Sequence, residues 1–444
     1  MPEIDSGNTA WVLTAAALVM FMTPGLGFFY GGLTRNKNVL ATIMQSFIVV
    51  GLVGVQWVVI GYSLTFAPSV GGGFIGNLDF FGLRHVGLAP SDVYATTIPH
   101  EAFMIFQAMF AIITPALITG AFAERAKFST FLVFMLLWSF FVYNPVAHWV
   151  FSAYGWLTAF DFPKDIDALD FAGGTAIHIN SGAAALAAAI FFGQRRGYGK
   201  EAMEPHNVTY IVLGAAILWF GWFGFNAGSA GAASAVAANA FVVTNTAAAA
   251  AALSWMFASW LLGGKPSVIG AAAGAVAGLV AITPASGFVQ PMEAIAIGGV
   301  AGVICYLAIR LRARTGLDDS LDVVGVHGVG GTWGAFATGL FAVAAVGGFD
   351  GAFHGEGSQV LDQLAAIGVV WVYSFTVTAI ILKVLDVTMG LRVKDEEEEL
   401  GLDVTQHGER GYVFDEASAI PVATANISQV SAPVAMPRVE SAEA

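Results

Sequence analysis

The sequence predicts an all-α membrane protein with eleven transmembrane helices. Three observations lead there. Hydrophobic residues make up 57% of the chain and charged residues 11%. Mean hydropathy is +0.73. Apolar runs of roughly 20 residues, the length that crosses a bilayer as a helix, recur from end to end. The 444 residues would suit about three soluble domains by length, but a soluble chain carries about 25% charged residues. This chain cannot cover a water-facing surface, so a soluble enzyme and a disordered scaffold are both excluded. The net charge of −13 argues against an electrostatic nucleic-acid site, which needs clustered Lys and Arg. Cys305 is the single cysteine, so an intramolecular disulfide, a Cys-rich zinc site and an iron–sulfur cluster are excluded too.

The runs cover residues 11–30, 39–66, 102–123, 131–148, 170–192, 208–229, 236–262, 268–285, 293–311, 323–346 and 361–385. They are continuous, whereas membrane strands would alternate. Basic residues cluster in alternate connections: Arg35 and Lys37, Arg125 and Lys127, Arg195, Arg196 and Lys200, Lys265, Arg310, Arg312 and Arg314, then Lys383, Arg392 and Lys394. The opposite connections carry Arg84 and Lys164. Positive charge stays on the cytoplasmic side, so the N-terminus is expected outside and the C-terminus inside, which requires an odd number of crossings. Glu3 and Asp5 precede the first run without a basic residue, so that run is expected to be a retained span and not a secretory signal. The chain divides into a transmembrane domain (8–390), a cytoplasmic tail (391–416) opening on the acidic run 395–399, and an aperiodic extension (417–444) expected to be disordered.

Asp170 opens the fifth run and His178 follows inside it; Asp322 opens the tenth and His327 follows inside it. The two runs lie five apart, so they enter from opposite sides. That is the pattern of an inverted five-plus-five repeat with a last helix added, whose functional groups gather between the halves. A carboxylate at a helix start accepts bonds from free amides, and capping is the reading preferred over direct ion binding for both aspartates. The histidines lie about 12 Å and about 7.5 Å along their predicted helices at 1.5 Å per residue. Polar side chains at such depth face a cavity or a partner, and a pore-lining pair is preferred over two structural histidines. Two nitrogens without a third ligand make a poor metal site. Gln107 lies beside Phe106 and Phe110, and the sixth run ends Gly-Trp-Phe-Gly-Phe-Asn-Ala-Gly-Ser at 221–229. Such aromatics serve as an interfacial belt or, beside a hydroxyl, as a site for a small cation. The small-residue stretches 183–189 and 247–252 are read as close helix packing. No phosphate-binding loop is present, and Ser229 has no base in register, so hydrolase and kinase chemistry and a bound cofactor are not expected.

The motif at 221–229, Asp-Phe-Ala-Gly-Gly-Thr-Ala-Ile-His at 170–178, Gly-Val-His-Gly-Val-Gly-Gly at 325–331, Ala-Glu-Arg at 123–125, Gly-Leu-Arg-Val at 390–393 and the later Gly-Leu-Asp and His-Gly-Glu together resemble the ammonium transporter family. The likeness runs from about residue 8 to 412. It implies eleven helices, an inverted pseudo-twofold repeat, a homotrimer with a pore in each subunit and a place in the cell (plasma or inner) membrane. It implies ammonium, with methylammonium as an analogue, held by Phe110, Phe225 and Ser229 with Gln107 adjacent. Phe110 and Phe225 would also gate the pore, Asp170 would stabilise the site, Trp222 would line the pore, and His178 and His327 would share a hydrogen bond there. It further implies that the tail touches neighbouring subunits and that a PII-type nitrogen-regulatory protein docks on that face. One departure concerns the third residue after Pro145-Val-Ala-His148, where the family places Trp: here it is Phe151, a weaker cation–π face. Trp149 and Trp156 are out of register. A sensor without transport and a neutral-solute channel of the Rh or urea type are the rival readings.

Overall fold

The computed structural model describes residues 3–158 and 166–412. The extension 417–444, the end of the tail and Lys164 lie outside the described residues. Each of the apolar runs falls on a helix. In order these are α1 (Ser6–Leu33), α2 (Asn36–Phe66), α3 (His100–Ala121), α4 (Phe128–Phe151), α5 (Gly174–Phe192), α6 (Val208–Gly228), α7 (Ala235–Gly263), α8 (Val268–Ile282) and α9 (Pro291–Thr315). Then come α10, which opens with the π-wound turn Val324–Gly328 and continues as Val329–Phe341, and α11 (Ser358–Thr388). Among the described residues, nine helices are long and apolar enough to cross a membrane; α8 is shorter, and α10, rich in glycine, is not among the nine.

Side chains that favour non-helical backbone set several starts. Asp5 accepts from the Asn8 amide at 2.7 Å, Asn207 from Tyr210 at 3.0 Å and Ser267 from Gly270 at 3.0 Å, each satisfying an amide that the helix leaves free. The interior is packed with small and aromatic side chains, and Trp57, Trp138, Trp149 and Trp222 are all buried. Phe47, Val55, Phe220, Leu261 and Val372 are exposed instead. An exterior of that kind suits hydrocarbon, not water.

Two details depart from the all-α expectation. Between α2 and α3 the chain forms two small antiparallel hairpins, Ser69–Val70 with Ile75–Gly76 and Pro90–Ser91 with Ala95–Pro99. Strands this short have no readable alternation. The fifth helix also starts at Gly174 and not at Asp170, because Asp170 reaches forward to cap it from outside. His178 and His327 therefore sit in the opening π-wound turns of α5 and α10, nearer the helix starts than counting from the aspartates implied.

Beyond α11 the tail folds back on its own chain as α12 (Asp395–Leu400) and α13 (Leu402–His407). The Leu402 amide donates to Asn38 Oδ1 at 2.8 Å and the Ala41 amide to Asp403 Oδ1 at 2.8 Å. Lys37 Nζ donates to the Glu398 and Glu399 carbonyls at 3.0 and 2.6 Å. Glu398, buried, accepts from Arg392 and from the Arg196 amide, both at 2.6 Å. The Val393 amide donates to the Arg125 carbonyl at 3.2 Å, so the tail ties together the start of α2 and the connections that follow α3 and α5.

Candidate functional site: a vestibule, an aromatic floor and a histidine pair

At the end of the bundle opposite the tail lies a vestibule of about 430 Å³. Gln107, Phe151, Asp170 and Ser229 line it, joined by Tyr94 and Phe103. Ser229 Oγ donates to the Phe225 carbonyl at 2.8 Å. Its proton is committed there, so the oxygen presents only lone pairs to the vestibule, as a cation requires. Below, the Phe110 and Phe225 rings lie 4.4 Å apart at 43°, both buried, and close the floor. Phe151 stands 6.5 Å from Phe110. Tyr94 and Phe103, which sequence reading passed over, stack at 5.2 Å and 12° in the vestibule wall. Trp149 takes no part: its indole nitrogen donates to the Phe74 carbonyl at 2.7 Å, and neither it nor Trp156 reaches the vestibule lining.

Asp170 touches the vestibule but its oxygens are turned into the protein. Oδ1 accepts from the Gly173 and Gly174 amides at 2.8 and 2.6 Å, and Oδ2 from the Thr175 and Ala176 amides at 2.8 and 3.2 Å. The Thr175 hydroxyl also donates to Oδ2. Gly173 makes this possible with φ +116°, a left-handed turn that aims successive amides at one carboxylate. The capping expectation for Asp170 matches this geometry.

Under the floor runs a conduit with room for little more than one water-sized sphere, about 20 Å³. Its wall is Met22, Leu26, Ile113, Leu218 and similar groups, broken by His178, His327, Trp222 and Tyr30. The Tyr30 hydroxyl donates to the Leu117 carbonyl at 3.0 Å and the Trp222 nitrogen to Thr283 Oγ1 at 2.9 Å, so both polar ends are engaged. His178 Nδ1 and His327 Nδ1 lie 3.2 Å apart. One must donate and the other accept. The donating ring then keeps an acceptor at Nε2 and the accepting ring keeps a donor at Nε2. His178 Nε2 is buried and has no partner within the protein. The His178 ring stacks on Trp222 at 5.4 Å and on Phe225 at 6.0 Å, which continues the aromatic floor into the histidine pair. The rings approach because α5 and α10 cross in contact: a Cβ on Gly182 would lie 2.3 Å from Gly328 Cα.

The second aspartate differs from expectation. Asp322 does not cap α10; it has φ +61° and pairs with Arg312 at 2.6 Å. The cap is Asp319, whose Oδ2 accepts from the Val324 amide at 2.8 Å. The signal was in the sequence: Asp319 precedes His327 by eight residues, as Asp170 precedes His178. Asp322 attracted the assignment because it adjoins the apolar run directly. Sequence reading also missed the ion network beneath, in which Glu124 pairs with Arg35 at 2.5 Å and Arg195 with Asp318 at 2.9 Å.

Comparison with known proteins bears on the family. The chain matches the Ammonium Transporter Family over residues 10–412. It is 49% identical over 412 residues to the ammonium transporter of Bacillus subtilis, covering 92% of this chain and 99% of that one. It is 46% identical to ammonium transporter Amt1 of Archaeoglobus fulgidus, covering 92% and 100%. Among solved structures, Candida albicans Mep2 superposes with a TM-score of 0.82 at 40% identity, over 89% and 88% of the two chains. A structure described as a sensor Amt protein reaches 0.82 at 30% identity, over 90% and 98%. Extent of match, level of identity and shared fold converge, and the chain belongs to the ammonium transporter family.

Proposed function

We propose that this protein carries ammonium across a membrane by separating the ion from its neutral base. Relatives named as ammonium transporters at 46–49% identity support the transport reading. The observation that carries the mechanism is the succession of an aromatic-and-hydroxyl vestibule, a closed phenylalanine floor and a narrow apolar conduit holding two hydrogen-bonded histidines. An ion taken from water into a low-dielectric medium meets a Born cost of order 20 kcal/mol before relaxation. Ammonia is neutral and avoids it. Ammonium binds at Ser229 Oγ and the faces of Phe110, Phe225 and Phe151, with Gln107 adjacent and Asp170 holding the turn and its negative charge nearby. It gives its proton to water in the vestibule, which either keeps it on that side or passes it on to the histidine pair, and ammonia passes the Phe110–Phe225 floor. The donor and acceptor edges of the His178–His327 pair then satisfy its lone pair and one of its N–H bonds in turn.

The basic connections favour eleven crossings with the vestibule outside and the tail in the cytoplasm, and the matched spacing of Asp170–His178 and Asp319–His327 supports the inverted repeat. A homotrimer in the cell membrane and a PII-type regulator on the tail face complete the proposal; the folded tail supplies a surface for such a partner. The test is simultaneous current and flux in liposomes under ammonium and methylammonium gradients. Saturable flux supports the proposal, and charge moving with it identifies proton co-movement. A protein that binds ammonium yet passes none is a sensor, a reading that the sensor Amt neighbour favours.

A further inference from the structure

The two capping aspartates are unequally satisfied. Asp170 receives five donors. Asp319 is fully buried, accepts one close hydrogen bond, from the Val324 amide, and its Oδ1 has no partner within the protein. A carboxylate in that position carries the desolvation cost without the compensation that Asp170 enjoys. We infer that Asp319 is a proton-holding carboxyl at the tail-side end of the conduit, and that its ionisation couples transport to the pH of that compartment.

The place of Asp319 gives the coupling its route. Val324 begins the π-wound turn that carries His327, while Leu321, Val323 and Val326 line the conduit. Tyr30, on α1, lines the same stretch and lies within electrostatic reach of Asp319. When Asp319 ionises, the O–H bond at Oδ1 breaks, its electron pair stays on the oxygen, and the proton leaves to water of the tail-side compartment. A further negative charge then appears beneath the conduit. The charged neighbours are few. Asp322 on the same connection opposes ionisation, and Arg312 on α9 favours it while paired to Asp322. Asp318 is engaged by Arg195, and the Arg125 guanidinium is bound to the Asp318 carbonyl and Ser320 Oγ. Burial, then the Asp322 charge, pushes the Asp319 carboxyl up to about 7. It is therefore protonated below neutrality and anionic above it, within the range a cell visits.

The test is infrared titration of the purified full chain, following the carboxyl C=O band with pH, together with transport in liposomes at varied tail-side pH. Asp319→Asn keeps an oxygen for the Val324 amide and should remove a band titrating near neutrality. Asp322→Asn frees Arg312 and should move the midpoint down; Arg312→Gln should move it up. Transport should depend on tail-side pH in the parent and lose that dependence in Asp319→Asn. A band that survives Asp319→Asn, or a midpoint unmoved by both neighbour variants, overturns the carboxyl assignment. An unchanged pH profile of transport in Asp319→Asn overturns the coupling. If Asp319→Asn does not fold, the opposite shifts of the two neighbour variants decide. The coupling rests on the transport proposal; the infrared result does not, so failure of one is distinguishable from failure of the other.

Discussion

Asp170 shows how one side chain can shape a cavity wall with its oxygens turned away from the cavity. Five donors converge on two oxygens, so an amide in its place would direct an NH2 at the Thr175 and Ala176 amides. Asp170→Asn should lower stability by on the order of 3 kcal/mol, the worth of one or two charged hydrogen bonds, and should lose most transport. Thermal unfolding with initial methylammonium uptake in liposomes checks this; parental uptake would show that the charge is not needed. The histidines make a different case. Their Nδ1–Nδ1 contact of 3.2 Å allows one added proton but opposes a second, since like charges so close in a dry site repel strongly. Replacing either with an apolar residue should abolish charge movement coupled to ammonium. His178→Asp or His327→Glu should instead stabilise a whole cation and admit potassium. Potassium and ammonium currents in these variants test the relay, and it falls if the apolar variants keep the parental current while the acidic ones exclude potassium.

Elements bring these residues together through a defect in each of two helices. The openings Gly174–Ile179 of α5 and Val324–Gly328 of α10 are wound as π turns, a form common at functional sites. Both turns carry a histidine, and the helices meet where Gly182 faces Gly328. A methyl group added at Gly182 would sit 2.3 Å from the Gly328 Cα and 2.4 Å from its nitrogen, against an ordinary carbon contact of about 3.5–4.0 Å. Backbone cannot yield as a side-chain tip can. Gly182→Ala should therefore push α5 from α10, cost about 1–3 kcal/mol as overpacking, and break the histidine bond. The same current measurement with a thermal unfolding curve reads both effects. A variant with parental stability and current would mean that the crossing adapts and that the small residues here are not what sets the pair distance.

Across the whole molecule, the tail acts as a strap over the face opposite the vestibule. Arg392 reaches the Phe192 and Gln194 carbonyls at 2.9 and 2.7 Å, and Gln406 accepts from the Phe128 amide at 3.2 Å. Ending the chain after Val393 removes Glu398, Asp403 and Gln406 but leaves the Arg392 contacts. The first turns of α2 and the connection after α5 then lose these ties, whereas the Lys127 amide still reaches the Leu391 carbonyl and the Val393 amide the Arg125 carbonyl, and the bundle above keeps its packing. Such a truncation should assemble normally, as native mass and gel filtration would report, yet show reduced or unregulated transport in liposomes. Normal rate and normal regulation without residues 394–412 would mean that the strap is only a covering.

The apolar runs by themselves determined that the chain is a helical membrane protein, because bilayer-length hydrophobicity has no other stable use. Long local motifs were equally legible: Asp170 to His178 and Gly221 to Ser229 carry their chemistry within a few turns of one helix. What the sequence could not decide was anything set by packing between distant segments. It offered Asp322 as the second cap because that residue touches the apolar run, whereas the fold turns Asp322 to Arg312 and gives the cap to Asp319. It set Trp149 and Trp156 out of register with the position of Phe151 but could not say where they turn; the backbone directs the Trp149 nitrogen to the Phe74 carbonyl. It passed over Tyr94 and Phe103, which come from a short hairpin and the first turns of α3 and meet only in three dimensions. Periodicity and hydropathy report which side chains avoid water; which of them share a cavity is fixed by where helices cross, and here that crossing depends on two glycines far apart in the chain.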